Sequence, residues 1–166
     1  PLPFIAVMRG DCLDAAVAVR QTLGLRTAVL NMANESNPGG GWQSGSAAQE
    51  ENLVRRSGLI FCLADPYRWL RNARQALYPI PEFSVVHSKN VPVFRGSEAA
   101  GYPFLPTPIF LGVLTAPAYR HPPTQPDVNG RDVLDEKWCG KVRHKVRSLL
   151  RCAALRGERA LVLSAW

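Results

Sequence analysis

The stretch Asn37 to Glu51, NPGGGWQSGSAAQEE, places three consecutive glycines, then seven residues, then a glutamine and two adjacent acids. Gly39, Gly40 and Gly41 carry no Cβ, so they can adopt positive φ and let a ligand approach bare backbone amides. Amides that converge on a concave turn bind anions, diphosphates above all. Glu50 and Glu51 offer a proton donor beside a second carboxylate, the equipment of acid–base chemistry at an acetal or glycosidic bond. Plainer readings exist for each part. Triple glycines occur in flexible loops, and acids in a first helical turn are favoured by the macrodipole. What distinguishes this stretch is its position between two regular elements.

Those elements follow from the hydrophobic pattern. Thr27 to Met32, TAVLNM, reads as a buried strand, and it runs directly into the glycines. Ala47 to Leu63 reads as a helix that begins near Gln49. A strand, a glycine-rich loop and a helix in that order form the phosphate-binding arrangement of α/β domains. Before them, Cys12 to Leu23 has helical spacing with Asp11 as its N-cap, after a short apolar run from Phe4 to Met8. Beyond them, Tyr67 to Tyr78 suits a short helix, and Phe83 to Phe94 suits two short strands around Ser88 to Asn90. Pro92 assigns that region to a sheet edge. Ile109 to Thr115 is a further buried strand, and Pro117 to Gly130 a proline-rich loop. Arg131 to Arg156 reads as an amphipathic helix closed by Gly157, and Ala160 to Trp166 as a last strand. Alternating strands and helices predict a three-layer α/β domain.

At 166 residues the chain is one domain's worth. It has no apolar run long enough to span a membrane. Its four cysteines form no C-x-x-C pair, and its three histidines lack metal-ligand spacing, so neither a metal nor a cofactor is expected. Buried, reduced thiols in an intracellular protein, cytoplasmic or nuclear, fit this pattern. Of the net charge of +7, the segment from Lys141 to Arg159 supplies +6, with seven basic residues against Glu158. A positive face of this kind suits a polyanion, although basic helix faces are also simply solvated.

LNMANESNPGGGWQSGSAAQEENLVRRSGL resembles the catalytic loop of microbial-type poly(ADP-ribose) glycohydrolases, a branch of the macrodomain fold. That family has three glycines, six to eight residues, then Q-E-E. GDCLDAA from Gly10, VVHSKNVPVFR from Val85, VLTAPA from Val113 and ALRGERALVLSAW from Ala154 agree in order, so the resemblance spans nearly the whole chain. It implies a macrodomain-like three-layer α/β/α fold with a central mixed sheet, and hydrolysis of ribose–ribose O-glycosidic bonds. It also implies a role for each residue. Glu51 would be the general acid that protonates the departing ribose oxygen, and Glu50 would orient ribose hydroxyls. Asn34 would fix the terminal ribose, Gly39, Gly40 and Gly41 would approach the diphosphate, and Gln49 would shape the turn that presents the acids. Asp11 would reach the adenine. An acid that donates near neutral pH needs its pKa raised from about 4.3, and a neighbouring carboxylate and a bound diphosphate push that way. Trp42, which the glycine loop should expose, is a candidate for stacking, with Tyr67 and Trp69 behind it. The implied partners are poly(ADP-ribose) or ADP-ribose and ADP-ribosylated proteins, with no membrane, and a monomer is expected.

Two departures from the family pattern stand out. Ser164 occupies a position where glycine is usual, and the chain stops at Trp166, where relatives continue into a second glycine-rich phosphate loop. A fragment truncated at its C-terminus, and lacking its native N-terminus, is therefore expected. Tyr119-Arg120 also replaces the small or Asn-containing continuation after TAPA. Two alternatives to the hydrolase stay open: a module that reads ADP-ribose ends without cutting them, and a hydrolase of mono-ADP-ribosylated targets.

Overall fold

The computed structural model describes residues 3–64 and 77–164. Four strands form one sheet in the order β2-β3-β1-β6, where β1 is Thr27–Met32, β2 Val86–Arg95, β3 Phe104–Ala116 and β6 Ala160–Val162. β1 runs parallel to β3 and β6, and β2 runs antiparallel to β3, so the sheet is mixed. Side-chain alternation along β1 and β3 then builds two cores, because successive residues face opposite sides of a sheet. Val29, Leu111 and Val113 meet Leu13 and Ala16 of helix α1 (Cys12–Leu23), Leu53 and Val54 of α2 (Gln49–Arg56), and Leu59 and Leu63 of α3 (Leu59–Ala64). On the other face Ala28, Leu30, Leu114 and Ala116 meet Leu149 and Ala153 of α4 (Glu136–Leu155). The result is a macrodomain-like α/β/α sandwich.

Most expected elements are present, with instructive differences at their ends. Asp11 caps α1, its Oδ1 accepting from Asp14 N at 2.8 Å. Gly157 follows α4 with φ +73°, and the N–H groups of Gly157 and Glu158 return to Ala154 O and Ala153 O. The single helix expected over Ala47 to Leu63 is two. Ser57 is extended and bridges Val93 of β2, its Oγ bonding Leu53 O at 2.6 Å, and Gly58 N donates to Pro92 O at 2.9 Å. Pairing with the sheet edge therefore interrupts the helix. The two short strands expected over Phe83 to Phe94 are one edge strand with an irregularity, where Asn90 takes φ +55° before pairing resumes at Val91. α4 starts at Glu136, capped by Asp135, because Thr124–Pro126 (β4), in the proline-rich region, and Asp132–Leu134 (β5), just beyond it, first form a small hairpin. The last strand is short, and the helix expected over Tyr67 to Tyr78 lies almost wholly outside the described residues, as do Tyr67, Trp69 and Trp166. The apolar run at Phe4 to Met8 joins no strand and is largely exposed.

Gly112 shows how tightly the sheet meets the α4–β6 turn. A Cβ there would lie 2.7 Å from Glu158 Oε1 and 3.1 Å from the Ala28 Cβ. Glu158 cannot retreat freely, because its side chain is enclosed and Oε1 bonds His87 Nε2 at 2.9 Å. Gly112→Ala should therefore destabilise the fold by roughly 1–3 kcal/mol, the range for an overfilled interior, and a shift in the urea midpoint at constant slope would report it.

Candidate active site

The carboxylates sit where β1, the glycine loop and α2 meet. No side chain caps α2 at Ala48. Gln49 instead fastens its first turn to β1. Its Nε2 donates to Leu30 O at 2.6 Å and to Cys12 Sγ at 3.3 Å, and its Oε1 accepts from Met32 N at 2.9 Å. With both ends of that amide used, the two residues that follow are held over the end of the strand.

Glu50 is 3 % exposed and Glu51 is 7 % exposed. Glu50 Oε2 accepts from Asn34 N at 2.7 Å, and Oε1 accepts from Asn31 Nδ2 and Gly39 N, each at 3.2 Å. Asn31 reaches Glu50 because strand alternation turns it to the α2 face, where it also bonds Thr115 Oγ1 at 3.3 Å. Glu51 Oε1 accepts from Gly41 N at 2.9 Å, and Oε2 accepts no hydrogen bond among the described residues. Burial raises the pKa of Glu50, helped by the charge of Glu51 and opposed by the bonds from Asn34, Asn31 and Gly39. An acid whose folded pKa is raised contributes stability that is full below about pH 4.3 and is lost as pH rises through the folded value. The stability of the wild type relative to Glu50→Gln should therefore fall as pH is raised from 4 to 7. Paired urea titrations measure this, and a difference that grows with pH would contradict it.

The triple glycine does something the spacing did not suggest. Gly39 N donates to Glu50, Gly40 N to Asn37 O at 3.0 Å, and Gly41 N to Glu51. The amides expected to face a diphosphate are thus spent on protein acceptors, and the anions in this cradle are the protein's own carboxylates. Gly40, at φ +58°, lies so close that a Cβ would overlap Glu51 Oε1 and reach within 3.1 Å of Glu50 Oε2. Arg55 ties the loop down from α2, its Nη2 donating to Trp42 O at 3.2 Å and to Ser46 O.

Asn34 closes the start of the loop, its Oδ1 accepting from Ser36 N and Asn37 N at 2.9 Å, which leaves Nδ2 unbonded among the described residues. Trp42 is half-buried against the α1–α2 core rather than displayed by the loop, because it begins a 3₁₀ turn that folds the indole back beside Gly39. Asp11 is also engaged internally, its Oδ1 pairing with Arg56 Nη1 at 2.8 Å while it caps α1. The spacing did not single out Asn31 or Tyr78. The Tyr78 hydroxyl and Asn31 Oδ1 are buried without a hydrogen-bond partner among the described residues. Burial and the charge of Glu50 push the Tyr78 phenol upward. Only the β1 alternation could have pointed to Asn31, and nothing local points to Tyr78.

A three-layer α/β sandwich with a mixed sheet, carrying paired buried glutamates at the head of a helix beside a triple-glycine bend, defines a macrodomain-like domain. A model of the family described as the microbial-type PARG catalytic domain matches residues 3–96. The chain belongs to that family. Among solved structures it is similar to the poly(ADP-ribose) glycohydrolase of Thermomonospora curvata bound to the inhibitor ADP-HPD, at 31 % identity and a TM-score of 0.68, over 93 % of this chain and 55 % of that one. It is also similar to the enzyme of Deinococcus radiodurans in complex with ADP-ribose, at 30 % identity and a TM-score of 0.68, over 97 % of this chain and 61 % of that one. The chain thus spans a little over half the length of these relatives. A comparison with curated proteins gives no match. Among the described residues no helix is long and apolar enough to cross a membrane.

Proposed function

We propose that the protein hydrolyses the ribose–ribose O-glycosidic bonds of poly(ADP-ribose) and releases ADP-ribose. The observation that carries this reading is the asymmetry of the two buried acids. Glu50 is held on both oxygens, whereas Glu51 is held on one and keeps Oε2 available. A fixed carboxylate suits a binding role and a half-free one suits proton transfer. In this reading Glu51 gives its proton to the ribose oxygen that departs as the glycosidic C–O bond breaks. The carboxylate left behind then takes a proton from the attacking water, which restores the acid. Glu50 accepts hydrogen bonds from hydroxyls of the distal ribose, using the spare lone pair of Oε2, and Asn34 Nδ2 meets the same sugar. Gln49 acts through the others, as a positioning residue. The glycines lie against the ligand through their bare backbone surface, and Asp11 is left with Oδ2 as the atom able to meet an adenine amino group. The protein acts as a monomer inside the cell, on free polymer or on polymer attached to proteins.

Family membership and the likeness to two structures solved with ADP-ribose or ADP-HPD support the substrate class. Incubation with polymer and, separately, with a mono-ADP-ribosylated protein tests the reading. Free ADP-ribose is expected from the polymer. Binding without release would favour the reader alternative, and release only from the mono-modified protein would favour the other hydrolase.

A further inference from the structure

The loop after β3 borders a cavity of about 390 Å³ at the carboxyl ends of β1 and β3. Ala33, Glu35, Ile80, Tyr119, Arg120 and Lys145 stand in its wall. Ala33 and Glu35 flank Asn34, whose N–H binds Glu50, and Ile80 N donates to Glu35 O at 2.8 Å. The cavity therefore lies beside the segment that binds Glu50.

Lys145 belongs by sequence to the basic face of α4, yet it is 6 % exposed. Its Nζ donates to Pro117 O at 2.8 Å and lies 4.5 Å from the centre of the Tyr119 ring. Among the described residues no carboxylate is within ion-pair distance of it. Glu82 stands in the same wall, and its Oε1 accepts from Tyr119 Oη at 2.7 Å and Lys141 Nζ at 3.0 Å. Burial pushes the Lys145 ammonium down, against the attraction of Glu82 and Glu35. An enclosed cation without a paired anion is an expensive feature, and an incoming anion would offset its cost. Arg120 stands in the same wall, exposed and without a hydrogen bond among the described residues. A guanidinium supplies paired donors for a phosphate and an ammonium supplies a point charge. Glu35 and Glu82, in the same wall, oppose a multiply charged group, so the fit is to the singly charged oxygens of a phosphodiester or diphosphate.

We infer that this cavity is a subsite for the ADP-ribose unit on the leaving side of the scissile bond, its phosphate lodged between Arg120 and Lys145. The inference rests on the hydrolase reading and deepens it: binding energy comes from the unit beyond the bond, so polymer is preferred to a mono-modified target. Calorimetry in a non-cleaving Glu51→Gln background tests it, with ADP-ribose and its linear dimer as probes. The dimer is expected to bind about tenfold more tightly than the monomer. Adding Arg120→Ser, or Lys145→Met, should bring that ratio to within twofold of one. Arg120 is exposed, so its variant decides the matter even if the buried Lys145→Met fails to fold. Monomer binding with no dimer preference, or a preference that survives Arg120→Ser, would overturn the subsite alone. Loss of monomer binding altogether in Glu51→Gln would strike the hydrolase reading and take the subsite with it.

Discussion

Glu51→Gln is expected to reduce ADP-ribose release from polymer by roughly 100- to 10,000-fold, the span that a positioned general acid contributes, while ADP-ribose affinity stays within a few-fold. The substitution is matched to the geometry. Glutamine can keep the bond from Gly41 N through its amide oxygen and place its NH₂ where the unbonded Oε2 now lies. The bend is thereby preserved and only the proton is removed. Steady-state turnover of polymer, together with calorimetric titration of ADP-ribose, separates the two quantities. Turnover near the wild-type rate would remove Glu51 from its role. A parallel loss of affinity would mean that the residue holds the ligand rather than the proton.

A second large effect concerns stability. Arg56, 1 % exposed, lies beneath α1 and bonds both Asp11 and Asp14, whose side chains are 33 % and 51 % exposed. Burial alone would lower the pKa of its guanidinium, but the two aspartates outweigh that and raise it. Removing different partners should therefore have unequal consequences. Asp11→Ala with Asp14→Ala strands the enclosed guanidinium and also deletes the α1 cap. A cost of roughly 3–5 kcal/mol is expected for the uncompensated charge, with about 1 kcal/mol more for the cap. Arg56→Met leaves two aspartates that water can reach and fills the space with an apolar chain, so its cost should be smaller. Urea unfolding of the three proteins tests the order. If Arg56→Met proves the more damaging, the guanidinium contributes packing and the bonds it donates to Asn52 Oδ1 at 3.3 Å and Arg95 O at 3.4 Å, rather than a charge that needs neutralising.

The same geometry separates two views of Asp11. As a cap and ion-pair partner its loss lowers stability, whereas as an adenine contact its loss lowers affinity. Comparing Asp11→Asn with Asp11→Ala in both measurements tells them apart, because asparagine keeps the cap and loses the charge.

What could be read from the chain alone was whatever is encoded within a turn or two. The strand ahead of the glycines, the cap at Asp11, the stop at Gly157 and the acids at the head of α2 all follow from nearest-neighbour chemistry, and the structure contains each of them. The Q-E-E motif likewise pointed to Gln49, Glu50 and Glu51, which the structure gathers at the end of β1 and the glycine bend. The rest depended on partners distant in sequence. The helix is split at Ser57 because β2 offers Val93 and Pro92 to that backbone. The glycine amides turn inward because α2 delivers two carboxylates to them, so a loop that reads as an anion cradle is filled by the chain's own anions. Lys145 looks like every other cation on α4 until the end of β3 provides Pro117 O and Tyr119 beside it. A local pattern specifies which element forms and which face is apolar. Only the packing of separate elements decides which polar groups lose their water, and that loss is what sets a buried glutamate or lysine apart from its solvated neighbours.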